Sequence, residues 1–147
     1  MELKFTVRAK IQRPVAQVFD AVYNPQHLSQ YFTTAGASAP LDAGTTVWWE
    51  FADYPGKFPV QVKGVVPNQR IVFEWATEGP EAYNTRVEMT FEALDAQSTL
   101  VSISEGKWKE DQRGLDHSYG NCHGWTHMSC ALKTYLEYGI NLRKGFY

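Results

Sequence analysis

The spacing of apolar residues changes twice along this chain, and those changes restrict its fold more than any other feature. Between Thr45 and Gly106 the apolar side chains recur at every second position, the period of a strand buried on one face. The segments TTVWWEF (45–51), FPVQVKGVV (58–66), RIVFEWA (70–76), TRVEMTFEAL (85–94) and TLVSISEG (99–106) all carry it. Between them lie DYPG, PNQ, EGPEAYN and DAQS, which are turn-forming stretches, so consecutive strands are expected to pair as antiparallel hairpins. LKFTVRAKI (3–11) alternates in the same way, and a short strand is expected near 33–38.

Helical spacing flanks the strands. In RPVAQVFDAVYNPQHLSQYF, Val15, Val18, Phe19 and Val22 share one helical face, and Pro14 suits a first turn. Asn24–Pro25 ends that helix and opens a second, short one carrying Leu28, Tyr31 and Phe32. HGWTHMSCALKTYLEYGINLR returns to helical spacing, with Gly139 as its terminator. The order is strand, two short helices, six or seven strands, one long helix. It predicts a single α+β domain over 1–147, a curved antiparallel sheet with the long helix packed across one face.

Charge and cysteine usage narrow the function. A net charge of −2 and a pI of about 6.1, with no basic stripe beyond the small Arg143–Lys144 pair, argue against a nucleic-acid partner. MELKFTVRAK has no apolar signal-peptide core, and no apolar run approaches membrane-span length. Two cysteines do not make a disulfide framework, so a reduced, cytoplasmic setting is expected. There is no G-x-G-x-x-G, P-loop or G-x-S-x-G, so no cofactor is assigned. Aromatic residues make up 14% of the chain, enough either to fill a core with rings or to line a ligand cavity with them.

CHGWTHMSC (122–130) holds both cysteines and two of the four histidines, and it looks at first like a metal or redox cluster. A projection at ~100° per residue divides it. Asn121, Cys122, Trp125, Met128, Ser129, Leu132, Leu136 and Ile140 form one stripe toward the sheet, while His123, His127, Cys130 and Thr134 point the opposite way, toward solvent. The two cysteines lie ~12 Å apart along the axis, beyond disulfide reach. HGWTH lacks the glutamate of a zincin helix, and no metal is assigned to it.

On the strands, parity places Ile71, Phe73 and Trp75 on one face, Val87, Met89 and Phe91 on another, and Trp49 with Val47 and Phe51 on a third. Thr99, Val101 and Ile103 are followed in the same parity by Glu105. That carboxylate either meets a ligand among the aromatic walls, as an orienting group or a base, or is solvated where the strand ends. It is the one candidate catalytic residue.

The helix after the first strand, the FEW of residues 73–75 and the GWT, LK, YLE and GINL elements of the last helix together resemble the START-like (Bet v 1-like, SRPBCC) superfamily. Within it the chain resembles a stand-alone AHSA1 member, the family of the Hsp90 ATPase activator, over essentially its whole length. The resemblance implies a helix-grip fold and an apolar cavity between sheet and helix for a small hydrophobic or aromatic molecule. The wall would then be Trp49, Phe51, Phe73, Trp75, Met89, Phe91 and Ile103 from the strands, with Asn121, Trp125, Met128 and Leu132 from the helix. The polar segment KWKEDQRGLDHSYGN would be a lid or a solvated connection near the start of that helix. Three functions are compatible with this: a lipid- or polyketide-like ligand carrier, a polyketide cyclase- or hydrolase-type enzyme, and a stress-related activator of an Hsp90-type chaperone.

Overall fold

The alternating segments form strands and the helically spaced segments form helices in the computed structural model, which describes residues 1–147. The exception is the second helix, which ends at Leu28, before Tyr31 and Phe32. Strand β1 (Phe5–Ile11) leads into α1 (Val15–Tyr23) and α2 (Pro25–Leu28). There follow β2 (Gly36–Ala37), β3 (Thr46–Phe51), β4 (Tyr54–Val66), β5 (Arg70–Ala76), β6 (Asn84–Asp95), β7 (Ser98–Gly106) and the long helix α3 (Gln112–Tyr138). The seven strands make one antiparallel sheet in the order β1-β7-β6-β5-β4-β3-β2. From β2 to β7 each neighbour in sequence is a neighbour in space, as the short turns require, and β1 closes onto β7. A register shift between Val62 and Gly64 interrupts the β4–β5 ladder, the kind of irregularity that bends a strand and curves a sheet.

Parity decides what the concave face carries. Ile103 lies opposite Val7 and Met89, and Glu105 lies opposite Phe5 and Val87. Trp49 turns inward and is completely buried, whereas its neighbour Trp48 faces out at 46% exposure. Asn24 caps α2 by accepting from the Gln26 N–H, with Pro25 at the first helical position.

Helix α3 starts earlier than expected and ends, as expected, at Gly139. It starts at Gln112, within the polar segment expected to be a lid or a solvated connection. Asp111 is its N-cap, accepting from the Gly114 N–H at 2.7 Å. Gly114 is required there, because a Cβ would lie 2.0 Å from the Lys109 carbonyl oxygen. The sequence hides this first part of α3 because it has no apolar stripe. Before Trp125 only Gly114 and Ser118 are buried. At the other end α3 stops at Tyr138, where Gly139 adopts a left-handed φ of 68°. Ile140 therefore leaves the apolar stripe and is 54% exposed, and residues 141–147 turn back along the helix.

The two halves of α3 meet different surroundings. The C-terminal half packs Met128, Ala131 and Leu132 into the core. It is also tied to the β1–α1 connection: Lys133 donates to the Lys10 carbonyl, and Glu137 accepts from the Gln12 N–H. The N-terminal half, with few apolar residues, stands away from the sheet. At ~1.5 Å per residue, the 27 residues of α3 span about 40 Å, enough to overhang the end of the sheet. No helix is long and apolar enough to cross a membrane.

Candidate functional site

Under the overhanging half of α3 lies a cavity of about 500 Å³, open on one side. The sheet contributes Phe51, Tyr54 and Phe58 from β3 and β4, and Trp75 with Thr85 from β5 and β6. Trp108, from the segment between β7 and α3, closes one end. The helix presents Asp116, His117, Gly120, Asn121, His123 and Gly124, and the C-terminal tail adds Arg143 and Tyr147. A smaller cavity of about 140 Å³ adjoins it along Phe51, Trp75 and Asn121 and reaches Phe32 and Trp125.

Two features of the helical wall bear on what the cavity is. Gly120 and Gly124 are four residues apart, and a Cβ at either position would meet nothing within 4 Å. A glycine inside a helix costs about 1 kcal/mol relative to alanine. No close packing requires either one, and together they leave the wall bare where the helix faces the cavity.

Beneath the cavity floor is Glu105, completely buried. Its carboxylate accepts from Trp125 Nε1 at 2.8 Å and Thr85 Oγ1 at 2.7 Å. It also accepts from Trp75 Nε1 at 3.1 Å, and from Asn121 Nδ2 at 3.1 Å to each oxygen. All four partners donate, so both oxygens are fully used as acceptors, and no Lys or Arg pairs with the group. Three of those partners, Trp75, Thr85 and Asn121, line the cavity. The alternative that Glu105 is solvated at a strand end is therefore overturned. Glu105 does not itself line the cavity and adjoins it through the side chains it orients. Trp75 and Trp125 lie against each other with centroids 5.5 Å apart, their N–H groups converging on the same carboxylate.

Trp108 is only 5% exposed and its indole N–H has no acceptor. An unpaired buried donor costs about 1–3 kcal/mol, so Trp108 carries a local cost in this fold.

The tail forms the last wall. Arg143 makes a two-pronged ion pair with Asp53, Nε to Oδ2 at 2.6 Å and Nη2 to Oδ1 at 2.8 Å. Its guanidinium lies 4.6 Å from the Phe51 ring centroid and 4.9 Å from that of Tyr147. Phe146 and Tyr147 then cover His127, with ring centroids 4.1 and 5.2 Å away. His127 was expected to face solvent. It is 7% exposed, because the returning tail supplies a lid that helical projection alone does not contain. Neither of its ring nitrogens has a partner, and burial, helped by Arg143 and His123, holds its pKa below the usual value. Cys122 and Cys130 are free thiols, and no three His, Cys, Asp or Glu side chains gather to hold a metal ion.

Residues 12–137 match the family model described as Activator of Hsp90 ATPase homolog 1-like protein, AHSA1. The chain belongs to this family. Solved structures similar to this AHSA1 chain include SSP2350 from Staphylococcus saprophyticus, 24% identical with a TM-score of 0.79, where the match covers 96% of each chain. The Aha1 dimer from Colwellia psychrerythraea is 22% identical with a TM-score of 0.76, over 93% of this chain and 98% of that one. DynU16, a protein of the dynemicin biosynthetic locus, is 25% identical with a TM-score of 0.79, over 94% of this chain but 48% of its own. The first two establish the helix-grip fold alone, and this chain spans about half the length of the third. None of the curated proteins matches the sequence.

Set against this AHSA1 site, the expected wall divides in two. Phe51, Trp75 and Asn121 line the main cavity, and Trp125 lines the smaller one. Trp49, Phe73, Met89, Phe91, Ile103, Met128 and Leu132 do not line either cavity; they interlock as solid core. The centre of the grip is thus filled by rings, with Trp49 edge-on to Phe73 at 5.3 Å, and the space lies at its end. Thr85, Gly120, Gly124 and Tyr147 were not anticipated. Thr85 precedes Val87, Met89 and Phe91 in the same parity, so its inward position was readable. The two glycines show up as an i, i+4 pair only once the polar segment is known to be helical.

Proposed function

We propose that this protein binds a small aromatic or apolar molecule in the cavity beneath the first half of α3. The observation that carries this reading is the Gly120–Gly124 wall: two glycines kept inside a helix, at a cost of about 1 kcal/mol each, both lining the cavity and with no neighbour for a Cβ to meet. The volume, about 500 Å³, falls in the range of small-molecule sites, and aromatic side chains with a few placed polar groups are their usual lining. Glu105 serves as the post of the site: by accepting from Trp75, Thr85 and Asn121 it fixes three side chains that a ligand would touch. The occurrence of DynU16 in a biosynthetic locus is in keeping with a small-molecule role.

Calorimetric titration with 1-naphthalenemethanol, which has an aromatic body and a single hydroxyl, tests the reading. Wild-type protein should bind it. Gly124→Leu, whose side chain would project into the cavity, should bind at least about tenfold more weakly while remaining folded. Equal binding by the two proteins would rule the site out.

Membership of a family described by Hsp90 activation supports a second reading, in which the protein stimulates an Hsp90-type ATPase through its surface. No rise in ATPase rate at saturating protein would dismiss it.

A further inference from the structure

We propose that the molecule taken up by this cavity carries a positive charge, as an amine or quaternary ammonium group on an aromatic or apolar body. The inference rests on the reading of the cavity as a ligand site and adds its charge preference.

The charge on the wall is unbalanced. Asp53, Glu78 and Asp116 border the cavity, and Arg143 is the one Lys or Arg that does, leaving a net −2 with His117 and His123 taken as neutral. Arg143 is already matched by its two-pronged pair with Asp53. Glu78 and Asp116 have no cationic partner. Asp116 accepts only from the Gln112 side-chain amide, at 2.8 Å. The carboxylate of Glu78 lies near Tyr54 and raises the phenol's pKa. Arg113 does not line the cavity but stands at its edge, donating to the Glu78 backbone carbonyl at 3.1 Å without pairing with either carboxylate, and Lys109 lies over the Tyr83 ring.

The rings add to the same preference, because an aromatic face attracts a cation and a low-dielectric concavity concentrates the field of its carboxylates. The protein gives an internal example of this recognition. Arg143, a cation belonging to the chain itself, sits against Phe51 and Tyr147 and is anchored by one carboxylate. The remainder of the cavity repeats the arrangement without a cation, with Trp75, Trp108, Tyr54 and Phe58 as rings and Glu78 and Asp116 as carboxylates. An anionic ligand would meet a lining with three carboxylates and one guanidinium, the latter already paired with Asp53.

Three compounds with the same naphthalene body separate the possibilities in calorimetric titrations at pH 7.5: 1-naphthylmethylamine (cation), 1-naphthalenemethanol (neutral) and 1-naphthoate (anion). The amine should bind about tenfold more tightly than the alcohol, with 1-naphthoate weakest. In the double variant Glu78→Gln, Asp116→Asn the amine should lose that advantage over the alcohol, and an unchanged circular dichroism spectrum with a cooperative thermal melt shows that the variant is folded. If the alcohol or 1-naphthoate binds as tightly as the amine, or the amine keeps its advantage in the double variant, the charge preference is overturned and the cavity remains a ligand site. If none of the three binds, the ligand reading and the charge preference fall together.

Discussion

Two indole N–H groups, a hydroxyl and an amide converge on Glu105, and the consequence is a buried carboxylate stabilised without a cation. Hydrogen bonds to a charged group contribute about 1.5–3 kcal/mol each, and stranding their donors is costly. Glu105→Leu should therefore lower stability by about 3 kcal/mol or more, measured by urea unfolding at neutral pH. Glu105→Gln should cost less, about 1–3 kcal/mol, since its amide NH₂ must face at least one of these donors. The inward direction of Glu105 was legible, because Thr99, Val101 and Ile103 set the parity it continues. Its partners were not, since Trp75 and Thr85 reach it through strand register, and Asn121 and Trp125 through the placement of a helix that register does not determine.

At the scale of the element, α3 is two helices in function. Its second half is a packing helix, legible from the Trp125–Leu132 stripe. Its first half has no stripe because it covers space rather than core, and so it read as a loop. Gly120→Ala and Gly124→Ala should each stabilise the protein by about 0.5–1 kcal/mol in chemical denaturation, since the new methyl meets nothing and the helix gains propensity. The tail is sensitive to acid through His127, which is packed under Phe146 and Tyr147 and faced by Arg143, His123 and Asp53. Its pKa is lowered in the folded protein from the usual 6.5, so the unfolded chain holds the proton more strongly. The stabilisation is therefore complete above about pH 6.5 and is lost as pH falls through the lower folded value. Thermal melts should show a decline in stability below pH 6.5 that His127→Phe reduces. Glu137 acts in a lower window. Burial, the largest single influence, raises its pKa, but bonds from Lys133 and the Gln12 N–H outweigh it and hold the carboxyl below 4.5. Its contribution is present above that value and lost as pH falls through the depressed one.

At the scale of the whole molecule, the change of period along the chain was enough for the run of hairpins and for a long helix across an antiparallel sheet, because hairpin turns leave antiparallel neighbours little choice, but it did not place β1 beside β7. It could not say whether the grip is hollow. That depends on ring packing such as Trp49 against Phe73 and on a tail that folds back after Gly139, and neither has a periodic signature. The solid centre and open end make a further prediction. Native mass spectra of freshly purified protein should contain a small-molecule adduct that Gly124→Leu lacks, and equal occupancy in both would place that adduct elsewhere. The central claim is that the space beneath Gly120 and Gly124 is the binding site. It is tested most directly by amide and indole N–H NMR spectra during titration with 1-naphthalenemethanol. The account predicts shifts concentrated at Trp75, Trp108 and residues 116–124, and their loss in Gly124→Leu. Shifts centred on other surfaces, or unchanged in that variant, would contradict it.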